Sequence, residues 1–187
     1  MTALRFTGAC WIVFVVYWAV TAAAVKPTAE RQGLAGRTLH LGLLAIAIAL
    51  IGPDWRVYPL NVAIVPRNAA IDILGGSLCV VGLIFAIWAR WTLADNWSAA
   101  VDLKRGHELI QRGPYNYARH PIYTGMLMMF LGSALAIGRF HAWLGLLVSV
   151  AGFWIKLRQE EALLMRHFPD AYPPYRQRVK ALVPFVF

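Results

Sequence analysis

The stretch IDILGGSLCVVGLIFAIWARW, residues 71–91, is apolar almost throughout, and its only charged side chains, Asp72 and Arg90, stand near its two ends. About 20 predominantly apolar residues form a helix long enough to cross the hydrocarbon core of a bilayer. The stretch therefore predicts a membrane-spanning helix at Ile71–Trp91.

The composition of the whole chain is that of a membrane protein. Of its 187 residues, 59% are hydrophobic and 14% are charged, and the mean hydropathy is +0.56, whereas soluble domains carry about 25% charged residues. We predict an all-α integral membrane helical bundle with about five transmembrane helices. The predicted spans are Phe6–Val25, Leu39–Gly52, Ile71–Trp91, Tyr123–Gly138 and Ala142–Leu157.

Three of these runs need comment. The first follows Arg5 and ends in small residues, as a secretory signal peptide does, but its length of about 19 residues suits a spanning helix. The second and fourth are short for a bilayer, so we expect them to tilt, to extend into flanking residues or to be sheltered by neighbouring helices. The prediction is five spans, with the first one retained.

The basic residues are unevenly distributed between the two sides of such a bundle. Five spans place fourteen of the 18 Lys and Arg residues on one side. The four on the other side are Arg5, Arg56, Arg67 and Arg139. Because cytoplasmic loops are enriched in basic residues, we predict an external N-terminus and a cytosolic C-terminus, in a bacterial inner membrane. This topology accounts for the net charge of +9, so no nucleic-acid partner is predicted.

The stretch RGPYNYARHPIYTG, residues 112–125, interrupts the apolar sequence just before the fourth span. Its first Gly-Pro pair indicates a chain break, and Pro121 suits the first turn of a helix. His120 and Tyr123 are then expected at the cytosolic mouth of that helix, where free N–H groups and a partial positive charge favour an anion. Plainer explanations are an interfacial tyrosine and an imidazole that caps a carbonyl.

A second polar stretch, KLRQEEALLMRHF at residues 156–168, ends the fifth apolar run. At least one of Glu160 and Glu161 is expected to turn toward the bundle, where an ionised carboxylate is costly unless it meets a cation. Lys156 stands four residues before Glu160, and a simple ion pair along the helix is the plainer alternative. Together, the two stretches predict a polar pocket at the cytosolic membrane surface.

Other kinds of site find less support in the sequence. His107 and His120 lack the HExxH spacing of a zinc site, so no metal is predicted. Cys10 and Cys79 lie in apolar runs, where small buried residues are common. There is no P-loop and no GxGxxG motif.

Three stretches taken together resemble one family. HELIQRGPYNYARHPIYTG (107–125), EEALLMRHFPDAYPPYRQRV (160–179) and LVPF (182–185) are similar to the isoprenylcysteine carboxyl methyltransferase and phospholipid methyltransferase superfamily. The resemblance implies S-adenosylmethionine as the cofactor, bound at the cytosolic membrane face by the loop before the fourth helix and the C-terminal region. It implies an enzyme that methylates a lipophilic or lipid-linked acceptor among membrane lipids. One membrane domain, 1–187, would then comprise N-terminal spans (1–92) and a cofactor-binding and catalytic half (93–187).

Matching positions imply the individual site residues. The implied cofactor-binding residues are His107, Glu108, Leu109, Ile110, Tyr115, His120, Pro121, Tyr123 and Glu160. Lys156 falls where relatives place a basic residue facing the substrate, and Lys156 or Arg158 is expected to position the acceptor. The chemistry agrees, since a carboxylate suits the ammonium and sulfonium of the cofactor, and tyrosine rings suit adenine and methylsulfonium.

The sequence is compatible with more than one methyl acceptor and more than one function. A prenylcysteine-like carboxylate is the acceptor nearest to the family, with a phospholipid amine or a small thiol as alternatives. No dedicated base for an amine is evident, and lysine cannot clamp a carboxylate in the bidentate way of arginine. Two other functions are an NADPH-dependent sterol-reductase-like enzyme, supported thinly by Arg112 and Arg119, and a non-enzymatic lipid-binding membrane protein.

Overall fold

The computed structural model describes residues 2–22, 28–30, 34–52, 55–94, 103–104 and 109–183. The helices are α1 (Thr2–Ala22), α2 (Leu34–Ile51), α3 (Ala69–Leu93), α4 (Pro121–Ile137), α5 (Phe140–His167) and α6 (Tyr172–Arg178). Two short strands, β1 (Thr28–Glu30) and β2 (Leu103–Lys104), pair antiparallel and connect the segment after α1 with the segment after α3. The predicted helical class is confirmed, with α6 as an unpredicted addition.

Helices α1 to α5 coincide with the five predicted apolar runs. By length and composition, α1, α3 and α5 are able to cross a membrane, over Ala3–Thr21, Ala69–Leu93 and Phe140–His167. The other two contribute shorter apolar helices, Thr38–Ile51 and Pro121–Ile137, so five crossings stay a prediction. Helix α5 continues well past its predicted end at Leu157, because the residues that follow are mostly strong helix formers.

Helices α3 and α4 pack backbone to backbone through two pairs of glycines. A methyl group built on Gly75 would lie 2.7 Å from the carbonyl oxygen of Gly132, and one built on Gly82 would lie 2.5 Å from that of Gly125. Small residues at a helix crossing allow this close approach in membrane proteins. The contact holds α4, whose first turn carries the candidate site, against the long span α3.

Substituting Gly82 with alanine is expected to destabilise the bundle by about 1–3 kcal/mol, because the new methyl group meets α4 backbone that cannot rotate away. Gly42→Ala in α2 is the matched control, since nothing lies within 4 Å of a methyl group at that position. The measurement is the thermal unfolding midpoint in detergent. Equal midpoints for the two variants would contradict the close α3–α4 packing.

Helix α5 returns beside α4 and packs on α2. Gly138 ends α4 with φ +68, a left-handed conformation that glycine adopts without strain. Further along α5, a methyl group on Gly145 would lie 3.1 Å from the carbonyl oxygen of Ala47, so α2 and α5 are also close. This packing brings the end of α5 to the beginning of α4, where the polar residues of the two motifs meet.

Candidate active site

The segment leading into α4 is shaped by its glycine and prolines. Gly113 has φ +61 and opens a short 3-10 turn, Gly113–Asn116, in which Tyr115 is buried. Pro121 is the first residue of α4 and lacks the N–H that a helix start would leave unpaired. His120 therefore precedes the helix directly, and Tyr123 lies in its first turn, as the sequence predicted.

The two glutamates lie near the end of α5 and differ in their surroundings. Neighbouring residues on an α-helix point about 100° apart, so Glu160 and Glu161 face different partners. The side chain of Glu160 is 22% exposed, whereas that of Glu161 is 6% exposed. Glu160 is therefore the carboxylate that a ligand can reach, and Glu161 is enclosed by protein.

Glu160 is held by one residue from its own helix and two from the start of α4. The hydroxyl of Tyr123 donates to its Oε1 at 2.6 Å, and Nδ1 of His120 lies 3.4 Å from its Oε2. Nζ of Lys156 lies 4.0 Å from Oε1, which is the predicted pair along the helix at a distance too long for a direct hydrogen bond. These contacts fix the carboxylate in one orientation.

Glu161 is the centre of a separate ionic cluster with two arginines. Nε and Nη2 of Arg119 donate to its Oε1 at 2.9 and 2.6 Å, and Nε of Arg176 lies 3.5 Å from Oε2. Nη1 of Arg119 donates to the backbone carbonyls of Arg176 and Val179. The guanidinium of Arg119 thus joins the loop before α4 to α5, α6 and the chain beyond it.

His120 bridges the two carboxylates. Its Nε2 lies 3.4 Å from Oε1 of Glu161, while its Nδ1 faces Glu160. Burial lowers the pKa of His120, but the hydrogen bonds and negative charges of both glutamates outweigh burial and raise that pKa above its ordinary value. The imidazole is accordingly favoured in its charged form between two negative groups.

A column of aromatic rings runs from His120 into the bundle. The His120 and Tyr123 rings stack with centroids 5.5 Å apart, and the Tyr123 and Phe153 rings stack at 5.0 Å. His40 from α2 continues the column, with its ring centroid 6.1 Å from that of Phe153. Nζ of Lys156 lies 5.5 Å from the centre of the Tyr123 ring, so a buried cation sits on the side of this column.

The chain after α6 forms part of the same site. The N–H groups of Arg119 and His120 donate to the carbonyls of Lys180 and Ala181, at 2.8 and 3.0 Å, in a short parallel bridge. The hydroxyl of Thr124 donates to the carbonyl of Leu182 at 2.7 Å. We call residues 179–183 the tail segment. It holds both residues that precede α4 through their backbone.

The structure brings together His120, Pro121, Tyr123, Glu160 and Lys156 among the residues implied by the resemblance. Tyr115 lies behind them, with its carbonyl accepting a hydrogen bond of 2.7 Å from the hydroxyl of Tyr175. Leu109 packs on the buried Tyr172 and Tyr175, and Ile110 is half-buried. His107 and Glu108 lie outside the described residues.

Arg158 stands apart from this group. Its guanidinium carbon lies 4.9 Å from the centre of the Trp154 ring, and the residue is exposed. Two residues along a helix correspond to about 200° of rotation, so Arg158 lies on the far side of α5 from Lys156 and Glu160. Its role in positioning an acceptor stays a prediction without contacts to support it.

Three residues were not anticipated in these contacts: Arg119, Arg176 and His40. Glu161 was expected, with Glu160, as a candidate to turn inward, and it is the more deeply buried of the two. In the sequence, Arg119 is explained well enough as a basic residue at the membrane surface. Nothing there indicates its contacts with Glu161. One sequence feature could have identified His40, because a lone histidine inside an apolar run is uncommon and often functional.

The arrangement suits the recognition of a ligand that carries both signs of charge. A partly exposed carboxylate, a buried ammonium and stacked aromatic rings lie side by side at one end of the bundle. In the described part of the chain, no group of three His, Cys, Asp or Glu residues has a geometry that could hold a metal ion.

Comparison with known proteins gives a family and several relatives. A family model described as phospholipid methyltransferase matches residues 71–171, a range that contains all but the first two residues of α3, the whole of α4 and α5, and both glutamates. The chain is 33% identical over 114 residues to the protein-S-isoprenylcysteine O-methyltransferase of Schizosaccharomyces pombe, covering 59% of this chain and 48% of that protein.

Two further relatives have the same description. The Saccharomyces cerevisiae protein-S-isoprenylcysteine O-methyltransferase is 26% identical over 140 residues, covering 72% of this chain and 56% of that protein. The protein-S-isoprenylcysteine O-methyltransferase B of Arabidopsis thaliana is 29% identical over 119 residues, covering 62% and 60%. The chain thus spans about half the length of the curated relatives it matches.

Proposed function

Because the chain belongs to the phospholipid methyltransferase family, we propose that it is an integral-membrane methyltransferase that uses S-adenosylmethionine. The proposed acceptor is lipophilic and carries a carboxylate, as a prenylated cysteine does. In the predicted five-span topology the site lies on the side that holds most of the basic residues, and we propose that this side faces the cytosol, where a diffusible cofactor is available.

The observation that carries the proposal is the difference between the two glutamates. Glu161 is enclosed and occupied by Arg119, whereas Glu160 is partly exposed and is held by Tyr123 and His120 in a fixed orientation. A carboxylate prepared in this way fits the ammonium or the sulfonium of S-adenosylmethionine. The Tyr123 ring is stacked between His120 and Phe153, so we propose that it supports the cofactor site by orienting Glu160 through its hydroxyl.

When bound, S-adenosylmethionine supplies a methyl group on a positively charged sulfur, which leaves as a neutral thioether. Methyl transfer needs the acceptor oxygen and the methyl carbon held in line within about 3–3.5 Å. In this chain Tyr123 and His120 fix Glu160, and the tail segment fixes His120 through its backbone. The protein's task is therefore positioning, and no covalent intermediate with a side chain is required.

Lys156 is the residue that we propose to meet the acceptor. It is 7% exposed and lies beside Glu160 and Tyr123, so an acceptor carboxylate would meet it in a dry environment where the attraction between opposite charges is strong. Arg158 lies on the other side of α5 and does not share these neighbours. A carboxylate also needs no base, because it is already nucleophilic.

A nicotinamide dinucleotide phosphate site finds no comparable support. It would need arginines able to bind the 2′-phosphate. The guanidinium of Arg119 already donates to Glu161 and to two backbone carbonyls. Methyl transfer is therefore the activity that these contacts favour.

The proposal is tested with purified protein in nanodiscs and S-adenosylmethionine labelled in its methyl group. Two acceptors are compared separately, N-acetyl-S-farnesylcysteine and phosphatidylethanolamine. We expect saturable cofactor binding and a base-labile methyl ester on the farnesylcysteine. If only phosphatidylethanolamine is labelled, the acceptor is an amine and not a carboxylate. Absence of cofactor binding by folded protein would refute the methyltransferase proposal.

A further inference from the structure

A buried histidine faces the site from α2, one of the helices outside the segment matched by the family model. His40 is 7% exposed within an apolar helix. Its ring is in contact with Phe153, and Phe153 stacks on Tyr123. His40 thus ends the aromatic column at the side opposite His120, deeper in the bundle.

The backbone of α5 sets the orientation of the His40 ring. Nδ1 of His40 lies 3.4 Å from the carbonyl oxygen of Gly152. Gly152 has no side chain, so α2 approaches closely there, with Leu43 3.4 Å from the position of a methyl group. Lys156 follows Gly152 by one helical turn on the same face of α5, and its charge acts on the His40 imidazole from that helix.

The contact with Gly152 also assigns the protons of the ring. A carbonyl oxygen only accepts hydrogen bonds, so Nδ1 of His40 carries a proton. The neutral ring then has a lone pair at Nε2, and only the protonated ring donates a second N–H there. His40 can therefore donate to a ligand only as the imidazolium.

Lys156 alone is an incomplete partner for a carboxylate. Its ammonium is a point charge and cannot clamp two carboxylate oxygens as a guanidinium does, and it also lies 4.0 Å from Glu160. An acceptor carboxylate beside Lys156 therefore needs a second donor for its other oxygen. His40 is the polar side chain from α2 that lies next to this position.

We propose that His40 binds the acceptor together with Lys156, donating from Nε2 to the second carboxylate oxygen after taking up a proton from solvent. The inference rests on the proposed function and names the binding partner of its acceptor. The acceptor carboxylate would then meet two positive groups, Lys156 and protonated His40, in a low-dielectric interior where a charge needs an opposite partner. An acceptor without the negative charge would not draw a proton to His40.

Several charged or titratable groups act on His40 from the helices around it. From α5, the positive charge of Lys156 and the negative charge of Glu160 act on the ring. From α4, the Tyr123 hydroxyl is committed to Glu160, and His120 lies at the far end of the aromatic column between two carboxylates. The acceptor carboxylate is the additional negative charge that protonates His40, so acceptor binding should weaken as the pH rises.

The test is initial-rate kinetics with N-acetyl-S-farnesylcysteine at saturating S-adenosylmethionine, at pH values from about 6 to 9, where histidines titrate. For the natural chain we expect KM for the acceptor to rise about tenfold over this range, with a smaller change in kcat. His40→Leu should have a KM about tenfold higher at the lower pH and no dependence of KM on pH, because a hydrogen bond to a charged group is lost.

Two further variants separate acceptor binding from a structural role. His40→Gln keeps an N–H donor that does not titrate, so KM should stay near the low-pH value of the natural chain across the range. His141→Gln changes another buried histidine, bonded at 2.5 Å to the Leu50 carbonyl in a different part of the bundle, and should keep the pH dependence of the natural chain.

The possible results distinguish this inference from the proposed function. A pH-dependent KM that persists in His40→Gln or His40→Leu, or a flat KM in the natural chain, would overturn the role of His40 while leaving methyl transfer intact. Binding of S-adenosylmethionine without any transfer to the farnesylcysteine would instead refute the proposed acceptor. Loss of the pH dependence in both His40 variants, with its retention in His141→Gln, would establish the role.

Discussion

Replacing Glu160 with glutamine is expected to weaken S-adenosylmethionine binding about 30-fold or more, while the protein stays folded. Removing one partner of a buried pair of opposite charges commonly costs about 2–5 kcal/mol, and the cofactor carries two positive groups that need a carboxylate. Glutamine has nearly the same shape, and its amide oxygen can still accept the hydrogen bond from Tyr123. The measurement is equilibrium binding of labelled S-adenosylmethionine to protein in nanodiscs.

Asp170→Asn supplies the matched control for Glu160→Gln. Asp170 is exposed beyond the end of α5, so its substitution removes the same charge from the same side of the molecule without touching the site. We expect cofactor binding close to that of the natural chain. Equal binding by Glu160→Gln and Asp170→Asn would mean that Glu160 does not bind the cofactor and is only one half of an ion pair with Lys156.

The fold was largely predictable because a spanning helix is a local property of the chain. The apolar runs alone located α1 to α5, since a run of apolar residues is recognised without any tertiary partner. The true extent of α5 was less predictable. The charged residues after Leu157 end the apolar run but not the helix, because helix propensity and membrane burial are separate properties.

The site was predictable in part. Residues recognised from their immediate sequence were predicted, whereas contacts between residues far apart in the chain were not. His120, Tyr123 and Glu160 stand out because each is polar at the edge of an apolar run. The contact of His40 with Gly152 joins residues 112 positions apart. The local sequence around either residue does not predict this contact. Only the packing of α2 on α5 reveals that contact.

The contacts of the tail segment could not be predicted from the sequence for a different reason. Its hydrogen bonds to Arg119 and His120 run from backbone to backbone, and backbone groups are the same in every residue. Arg119 was equally ambiguous, since a basic residue that sets membrane topology and one that binds Glu161 have the same sequence signature. Tertiary structure alone separates these two roles.

Replacing Arg119 with glutamine is expected to lower the free energy of unfolding by about 3–5 kcal/mol, the usual cost of leaving a buried charge without its partner. The side chains of Arg119 and Glu161 are 8% and 6% exposed, so water cannot take the place of the lost guanidinium. Helix α6 and the tail segment also lose the hydrogen bonds that Arg119 donates to the carbonyls of Arg176 and Val179, respectively. The measurements are thermal unfolding in detergent and the rate of proteolysis within residues 176–183.

Arg176→Gln is the matched control, because Arg176 contacts the same carboxylate from the surface. Its side chain is 42% exposed and its Nε lies 3.5 Å from Glu161, and an exposed ion pair contributes about 0–1 kcal/mol. We expect its unfolding midpoint and its proteolysis rate to stay close to those of the natural chain. Similar losses for the two arginine variants would mean that total charge, and not the buried contact, stabilises the tail segment.

A double substitution identifies the physical origin of the loss. Arg119→Gln combined with Glu161→Gln removes the unpaired charge as well as the arginine, so part of the stability should return relative to Arg119→Gln alone. The tail segment should stay sensitive to protease in the double variant, because the hydrogen bond to its Val179 carbonyl is still missing. If the double variant is instead less stable than either single one, the two residues act independently. The pairing of Arg119 with Glu161 would then not be the cause of the stability lost in Arg119→Gln.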